Sequence, residues 1–188
     1  MSRADRDHWD AHHAGFDGST GRPPARFLAE HAFLLGVGRT LEVAAGSGRN
    51  ALFLAARGHR VIACDASRAA LEAIRAASTG GRIDLVQMDL DDPGFREASV
   101  DNVVCVNFLD RRLFPEIERW LRPGGVLLFD TFLVDQRAVG HPRNPDFLLG
   151  RNELLEQLRR YRILRYREGE VSDGEATAFR AGAVAVRA

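Results

Sequence analysis

The chain has 188 residues, 45% of them hydrophobic, enough for one domain with a core of its own. Its 26 basic and 26 acidic residues cancel, which speaks against a protein held mainly by nucleic-acid phosphates. Every basic residue is an arginine, so the lysine chemistry of a pyridoxal Schiff base or of a standard phosphate loop is excluded.

The first 25 residues are polar. MSRADRDHWDAHH has no leader pattern, and no apolar run in the chain reaches membrane-spanning length, so a soluble cytoplasmic protein is expected. His8, His12 and His13 have a helix-face spacing that suits a metal, but a solvated run is the plainer reading, and no metal site is expected. PPARFLAEHAFLL reads as a helix with Phe27, Leu28, Phe33 and Leu34 as its apolar positions. Residues 1–38 are taken as an N-terminal cap segment and helix, and 39–188 as the main domain.

Arg39–Ala44 reads as a strand and Ser47–Arg57 as a helix stopped by Gly58. HRVIACD is a second strand, and Ser67 is placed to cap the helix that follows. RIDLVQMD is a third strand and DDPGFREAS a loop. VDNVVCVNFL is apolar throughout most of its length, as the centre of a parallel sheet requires. RRLFPEIERWL is helical, and RPGGVLLFDTFL is a turn leading into another buried strand. Residues 133–150 form a long polar segment, RNELLEQLRR a helix, and the two final strands are joined by SDG, a hairpin signal. Cys64 and Cys105 lie inside apolar strands and are expected as buried, reduced thiols.

This alternation predicts an α/β fold, a Rossmann-like doubly wound sheet of seven strands, mostly parallel, with an antiparallel C-terminal hairpin. Such sheets bind ligands beyond the carboxyl ends of their strands. Gly46, Asp65, Asp89 and Asn107 all fall there. Gly46 and Gly48 let backbone approach a ligand, and the next helix offers free N–H groups. Asp65, at the end of the second strand, suits both hydroxyls of a ribose; its structural alternative is a helix cap. Glu42 discriminates between cofactors. A dinucleotide brings an anionic pyrophosphate to such a turn, which a carboxylate would repel, whereas an ammonium or sulfonium would be attracted.

LEVAAGSGRNALFLAARGHRVIACDAS resembles the first two motifs of the class I S-adenosylmethionine-dependent methyltransferases. VQMDLDD, VDNVVCVNFL and LRPGGVLLFDTF resemble the next three, in order, over about residues 39–188. GSGRNALFLA, VNFLDRRLFP and HPRNPDFLL are similar to the small bacterial branch that includes the tellurite-resistance methyltransferases. One departure is Ala44, where the family has a glycine. The resemblance implies S-adenosylmethionine as cofactor, with Glu42 facing the methionine ammonium and Gly46 and Gly48 bordering methionine and ribose. It further implies Asp65 on the ribose, Ala66 and Ser67 lining the adenine, Asp89 on the adenine amine and Leu90 against its ring. Asn107 would lie near the transferring methyl. Arg49 or Asn50, opening a helix, would hold the methionine carboxylate.

A sulfonium is already a good leaving group, so positioning carries most of the chemistry and a base is needed only for a protonated acceptor. Asp110, Asp130 and His141 are near enough to be considered as bases, and none stands out. Trp9 and Phe16, or Arg143 and Asn144 in a lid over 133–150, are candidates to meet the acceptor. The expected partner is a small-molecule acceptor rather than nucleic acid. A cofactor-binding accessory module without turnover is the alternative, and an NAD-linked oxidoreductase is the third reading, disfavoured by Glu42.

Overall fold

A computed structural model describes residues 22–91, 93–173 and 176–188. His8, His12, His13, Trp9 and Phe16 lie outside the described residues. One seven-stranded sheet organises the chain, with strand order β3-β2-β1-β4-β5-β7-β6. The strands are β1 Arg39–Val43, β2 Arg60–Asp65, β3 Ile83–Gln87, β4 Val100–Val106, β5 Leu121–Phe132, β6 Tyr161–Asp173 and β7 Ala176–Arg187. β1 to β5 pair in parallel, and β7 runs antiparallel between β5 and β6. The strand order reverses direction between β1 and β4, so a crevice opens at their carboxyl ends.

The helices are α1 Arg26–His31, α2 Arg49–Ala56, α3 Arg68–Ala77, α4 Leu113–Trp120 and α5 Glu153–Gln157. Strand alternation splits the core into two layers. Leu41, Val43, Val103, Cys105, Leu127 and Phe129 meet α4 and α5 on one face. Val61, Ala63, Val104, Leu128 and Val184 meet α1, α2 and α3 on the other. By the same alternation Thr40 and Glu42 belong to the second face, among apolar neighbours.

Most of the expected elements are present, with boundaries moved by a residue or two. Ser67 caps α3 by accepting from the Ala70 N–H at 3.2 Å. Pro115 sits in the first turn of α4, where its missing N–H has no intrahelical partner to lose. Three expectations change. The first helix ends at His31 and tightens into a 3-10 turn, which leaves Phe33 72% exposed while Leu35 is buried. Phe27 and Leu28 pack under the sheet itself, so this helix is part of the main core. The RPGG turn lies inside β5: Val100 pairs with Leu121 and Asn102 with Val126, and the residues between bulge outward.

A buried polar cluster closes the amino ends of the strands. The Thr40 hydroxyl lies 2.8 Å from His59 Nδ1 and accepts from Asn102 Nδ2 at 3.1 Å. Burial, followed by the positive charge of Arg57, holds the His59 imidazole below its ordinary range, so it packs as a neutral ring. At the opposite end Gly182 on β7 faces Asp130 on β5. A Cβ at Gly182 would stand 2.7 Å from Asp130 Oδ1 and 3.2 Å from the Phe27 ring. Gly182→Ala should therefore destabilise the fold by about 1–3 kcal/mol through overpacking, read as a lower urea midpoint with an unchanged slope.

Candidate active site

The β1–α2 turn is built by backbone that side chains avoid. Ala44, Gly46 and Gly48 all have positive φ, at 53°, 53° and 83°. Ala44 thus holds a glycine's conformation, at a cost of about 1–2 kcal/mol. Gly48 has a second reason to be glycine: a Cβ there would meet Ile74 Cγ1 of α3 at 2.4 Å. Its smallness sets how closely α2 and α3 pack as well as how the turn bends.

Asp65 ties the turn to β2. Its Oδ2 accepts from the Gly46 N–H at 2.7 Å and its Oδ1 from the Ser67 N–H at 2.9 Å. One carboxylate therefore braces both loops that border the crevice, with its side chain half-buried. Ser67 is fully buried with its hydroxyl committed to α3, so its hydroxyl faces the helix while Ala66 remains partly accessible.

Glu42 is 2% exposed. Its Oε2 is buried with no hydrogen-bond partner. Burial pushes its carboxyl up to about 8; the polar Asn50 side chain and the charge of Arg49 oppose that rise, and Asp65 adds to it. Asn50 is itself 5% exposed and faces inward, its Oδ1 accepting from the Ala25 N–H at 2.8 Å. Of the two residues offered for the methionine carboxylate, Asn50 is thus engaged in the interior, whereas Arg49 lies at the partly exposed start of α2.

Asp89 and Leu90 follow β3. Asp89 Oδ1 accepts from the Asp91 N–H at 3.1 Å, and Leu90 packs against the α4-side core. Leu90, Asp91, Arg112, Leu113 and Glu116 line a cavity of about 310 Å³. Arg112 spans it, donating to Asp91 and to Asp110 at 2.6 Å each.

Asn107 ends β4 in a left-handed conformation and is exposed. Its Oδ1 accepts from Arg180 Nη2 at 2.6 Å. Arg180 also donates to Asp130 Oδ2 at 2.7 Å and lies over the Phe132 ring at 4.3 Å. Arg167 donates to the other oxygen of Asp130 at 3.0 Å and lies over Phe27 at 4.5 Å. Sequence reasoning missed both arginines, since nothing local marks a partner some 37 and 50 residues away.

The base candidates separate. Asp130 is 2% exposed and engaged by two arginines, a fastening rather than an available base. Asp110 is engaged by Arg112, which lowers its carboxyl against the effect of burial. His141 is exposed. The segment expected as a lid is braced: Arg111 bridges Glu153 to the Leu148 carbonyl, and Gln136 joins His141 O to the Phe179 N–H. Asn144 caps its own 3-10 turn by accepting from the Asp146 N–H, and Arg143 is exposed.

Residues 40–125, from β1 into β5, match a methyltransferase domain family. The matched stretch is similar to a methyltransferase domain over somewhat less than half of the chain. The chain is 30% identical over 134 residues to the cypemycin N-terminal methyltransferase of a Streptomyces species, covering 63% of this chain and 53% of that protein, so it spans about half that relative's length. TehB of Haemophilus influenzae shares the fold, with a TM-score of 0.75 at 19% identity over 96% of this chain and 67% of that one. So does the cyclase SpnF, with a TM-score of 0.74 at 18% identity over 100% and 96%. Fold alone therefore does not name a reaction. The unpaired Glu42 Oε2 suits an ammonium, and the glycine turn leaves room for backbone to approach a ligand.

Two measurements test these assignments. Glu42 is protonated more readily folded than unfolded, so its contribution to stability is full below pH 4.5 and lost as pH rises through about 8. Glu42→Gln should remove that fall, up to about 1.4 kcal/mol per pH unit, in denaturation curves taken between those limits without ligand. Asp130→Ala should cost about 3–5 kcal/mol, because it strands two arginines beside the core; a loss under about 1 kcal/mol would make Asp130 dispensable to the fold.

Proposed function

We propose that the chain is an enzyme that transfers a methyl group from S-adenosylmethionine to a small-molecule acceptor. The observation that carries this reading is the buried carboxylate of Glu42 beside the glycine turn, whose Oε2 has no partner. An ammonium supplies both the missing hydrogen-bond donor and the charge that a buried carboxylate lacks. A pyrophosphate supplies neither.

The residues take the following parts. Glu42 Oε2 receives the methionine ammonium. Arg49, at the start of α2, holds the methionine carboxylate with help from the helix end. Gly46 and Gly48 border the methionine and ribose. Asp65 accepts from the ribose hydroxyls while it continues to brace the turn, with Ala66 and the backbone of Ser67 alongside the adenine. Asp89 meets the adenine amine and Leu90 its ring. Asn107 stands nearest the methyl, its side chain held by Arg180. When bound, the cofactor supplies an electrophilic methyl on a positively charged sulfur. The chain's part is to align the acceptor with that methyl and exclude water.

Because Asp110 and Asp130 are both occupied by arginines, the acceptor is one whose nucleophile needs no strong base. An amine or a soft anion meets that requirement. The name of the Streptomyces relative points to an amino terminus in that protein. A cofactor-binding module without turnover is the second reading, favoured by the kinship of fold with a cyclase.

Titration calorimetry with S-adenosylhomocysteine should show binding at micromolar protein, and Asp65→Ala should weaken it at least about 10-fold. No heat from folded protein would remove the proposal. Incubation with methyl-labelled cofactor and a small-molecule extract should then label a low-mass product; tight binding without transfer would leave the accessory module.

A further inference from the structure

The crevice lies at the carboxyl ends of the strands, and the opposite edge of the sheet carries a row of arginines. Arg39 opens β1 and is paired in register with Arg60, which opens β2. Arg60 and Arg82 each stand one residue ahead of the paired Val61 and Ile83. Three neighbouring strands thus begin at arginine, with backbones about 4.8 Å apart. By alternation Arg39 and Arg60 belong to the face that carries Leu41, Ile62 and Cys64. All three arginines are exposed, and none forms an ion pair among the described residues. Asp101 on β4 lies beside Arg39, because Thr40 pairs with Asn102, but its oxygens are engaged. Oδ1 accepts from Arg122 Nη1 at 2.6 Å and Oδ2 from the Arg39 backbone N–H at 2.8 Å. Asp84 on β3 is exposed and forms no ion pair with the row. Like charges in cross-strand register destabilise a sheet, so the row weakens the fold unless a counter-charge arrives from outside.

Two exposed apolar residues stand in the chain that leads into this row. Val37 is 73% exposed, and Phe33, in the 3-10 turn before it, is 72% exposed. Val37 precedes Gly38, whose carbonyl accepts from the Arg60 N–H at 3.0 Å. A Cβ at Gly58 would lie 3.7 Å from Val37 Cγ1, and the Gly58 carbonyl accepts from Arg82 Nη1 at 3.5 Å. Arg57, laid over the Phe53 ring at 3.6 Å, adds a fourth exposed cation just ahead of Gly58. We infer that this edge is a docking surface for an acidic segment of a partner protein, with Val37 covered by an apolar side chain of that segment. Carboxylates supply the counter-charge, and guanidinium groups grip them by paired hydrogen bonds. A nucleic-acid backbone would use the arginines and leave Val37 in water. A second copy seated by a two-fold axis would set arginine against arginine. The surface lies at the far end of the strands from the crevice, and the inference does not draw on the cofactor reading.

Fluorescence anisotropy tests it on the full chain at about 0.15 M salt, with a labelled glutamate-rich peptide that carries leucines. Binding should be saturable, and Arg39→Ser, Arg60→Ser and Arg82→Ser combined should weaken it at least about 10-fold. Arg60→Glu, a single reversal at the middle of the row, should give a comparable loss if the triple variant fails to fold. Val37→Ser should weaken the same peptide about 3-fold or more, and so should replacing the peptide's leucines by serines. Arg60→Gln should raise the urea midpoint at low salt, because it relieves the like-charge contact. Absence of peptide binding, binding that survives the triple substitution, or a lowered midpoint in Arg60→Gln overturns the proposal. So does tighter binding of a labelled single-stranded oligothymidylate, or self-association of the chain that the triple substitution abolishes, which would give the face to a second copy.

Discussion

A carboxylate on a central strand, sealed from water and given only part of its hydrogen bonding, is the constraint around which the crevice is organised. Burying such a group costs several kcal/mol unless it is neutralised or paired. The chain leans on neutralisation: the proton is held to about pH 8, and Oε2 has no partner. What remains unsatisfied is directional. The turn, the start of α2 and Asp65 then arrange backbone so that a cationic ligand can complete it.

Asp65 and Asp130 illustrate two other uses of an acid at a strand end. Asp65 stays half-buried and spends its oxygens on two backbone N–H groups, Gly46 and Ser67, which shape the loops a ligand would lie against. Asp130 lies deep and draws two arginines from the terminal hairpin, each laid over an aromatic ring. The first is a brace that a ribose can share. The second fastens β6 and β7 to the parallel part of the sheet.

The sequence made the parallel sheet legible because buried parallel strands are continuous apolar runs, and VDNVVCV could hardly be anything else. Glu42 was legible for the opposite reason, as a charge where periodicity demanded an apolar residue. Asn50 was placed at the right turn, but its burial was not legible: helix position fixes which residues begin α2, whereas the inward face is set by the chain just before α1, 25 residues earlier. The helix over Phe33 failed similarly, since an apolar pattern cannot say where a chain leaves the core. Arg167 and Arg180 were invisible because ion pairs across a sheet follow strand order, which local pattern does not encode.

The two cysteines offer a last consequence. Val43 on β1 is paired with Cys64 on one side and Cys105 on the other, so the thiols flank the central strand. Two strand spacings, about 9.6 Å, separate their backbones, too far for a disulfide. Both thiols are buried, and burial raises both, Cys64 to about 12 and Cys105 further. An alkylating reagent therefore reaches them only when the middle of the sheet parts, and the rate of alkylation becomes a clock for that event.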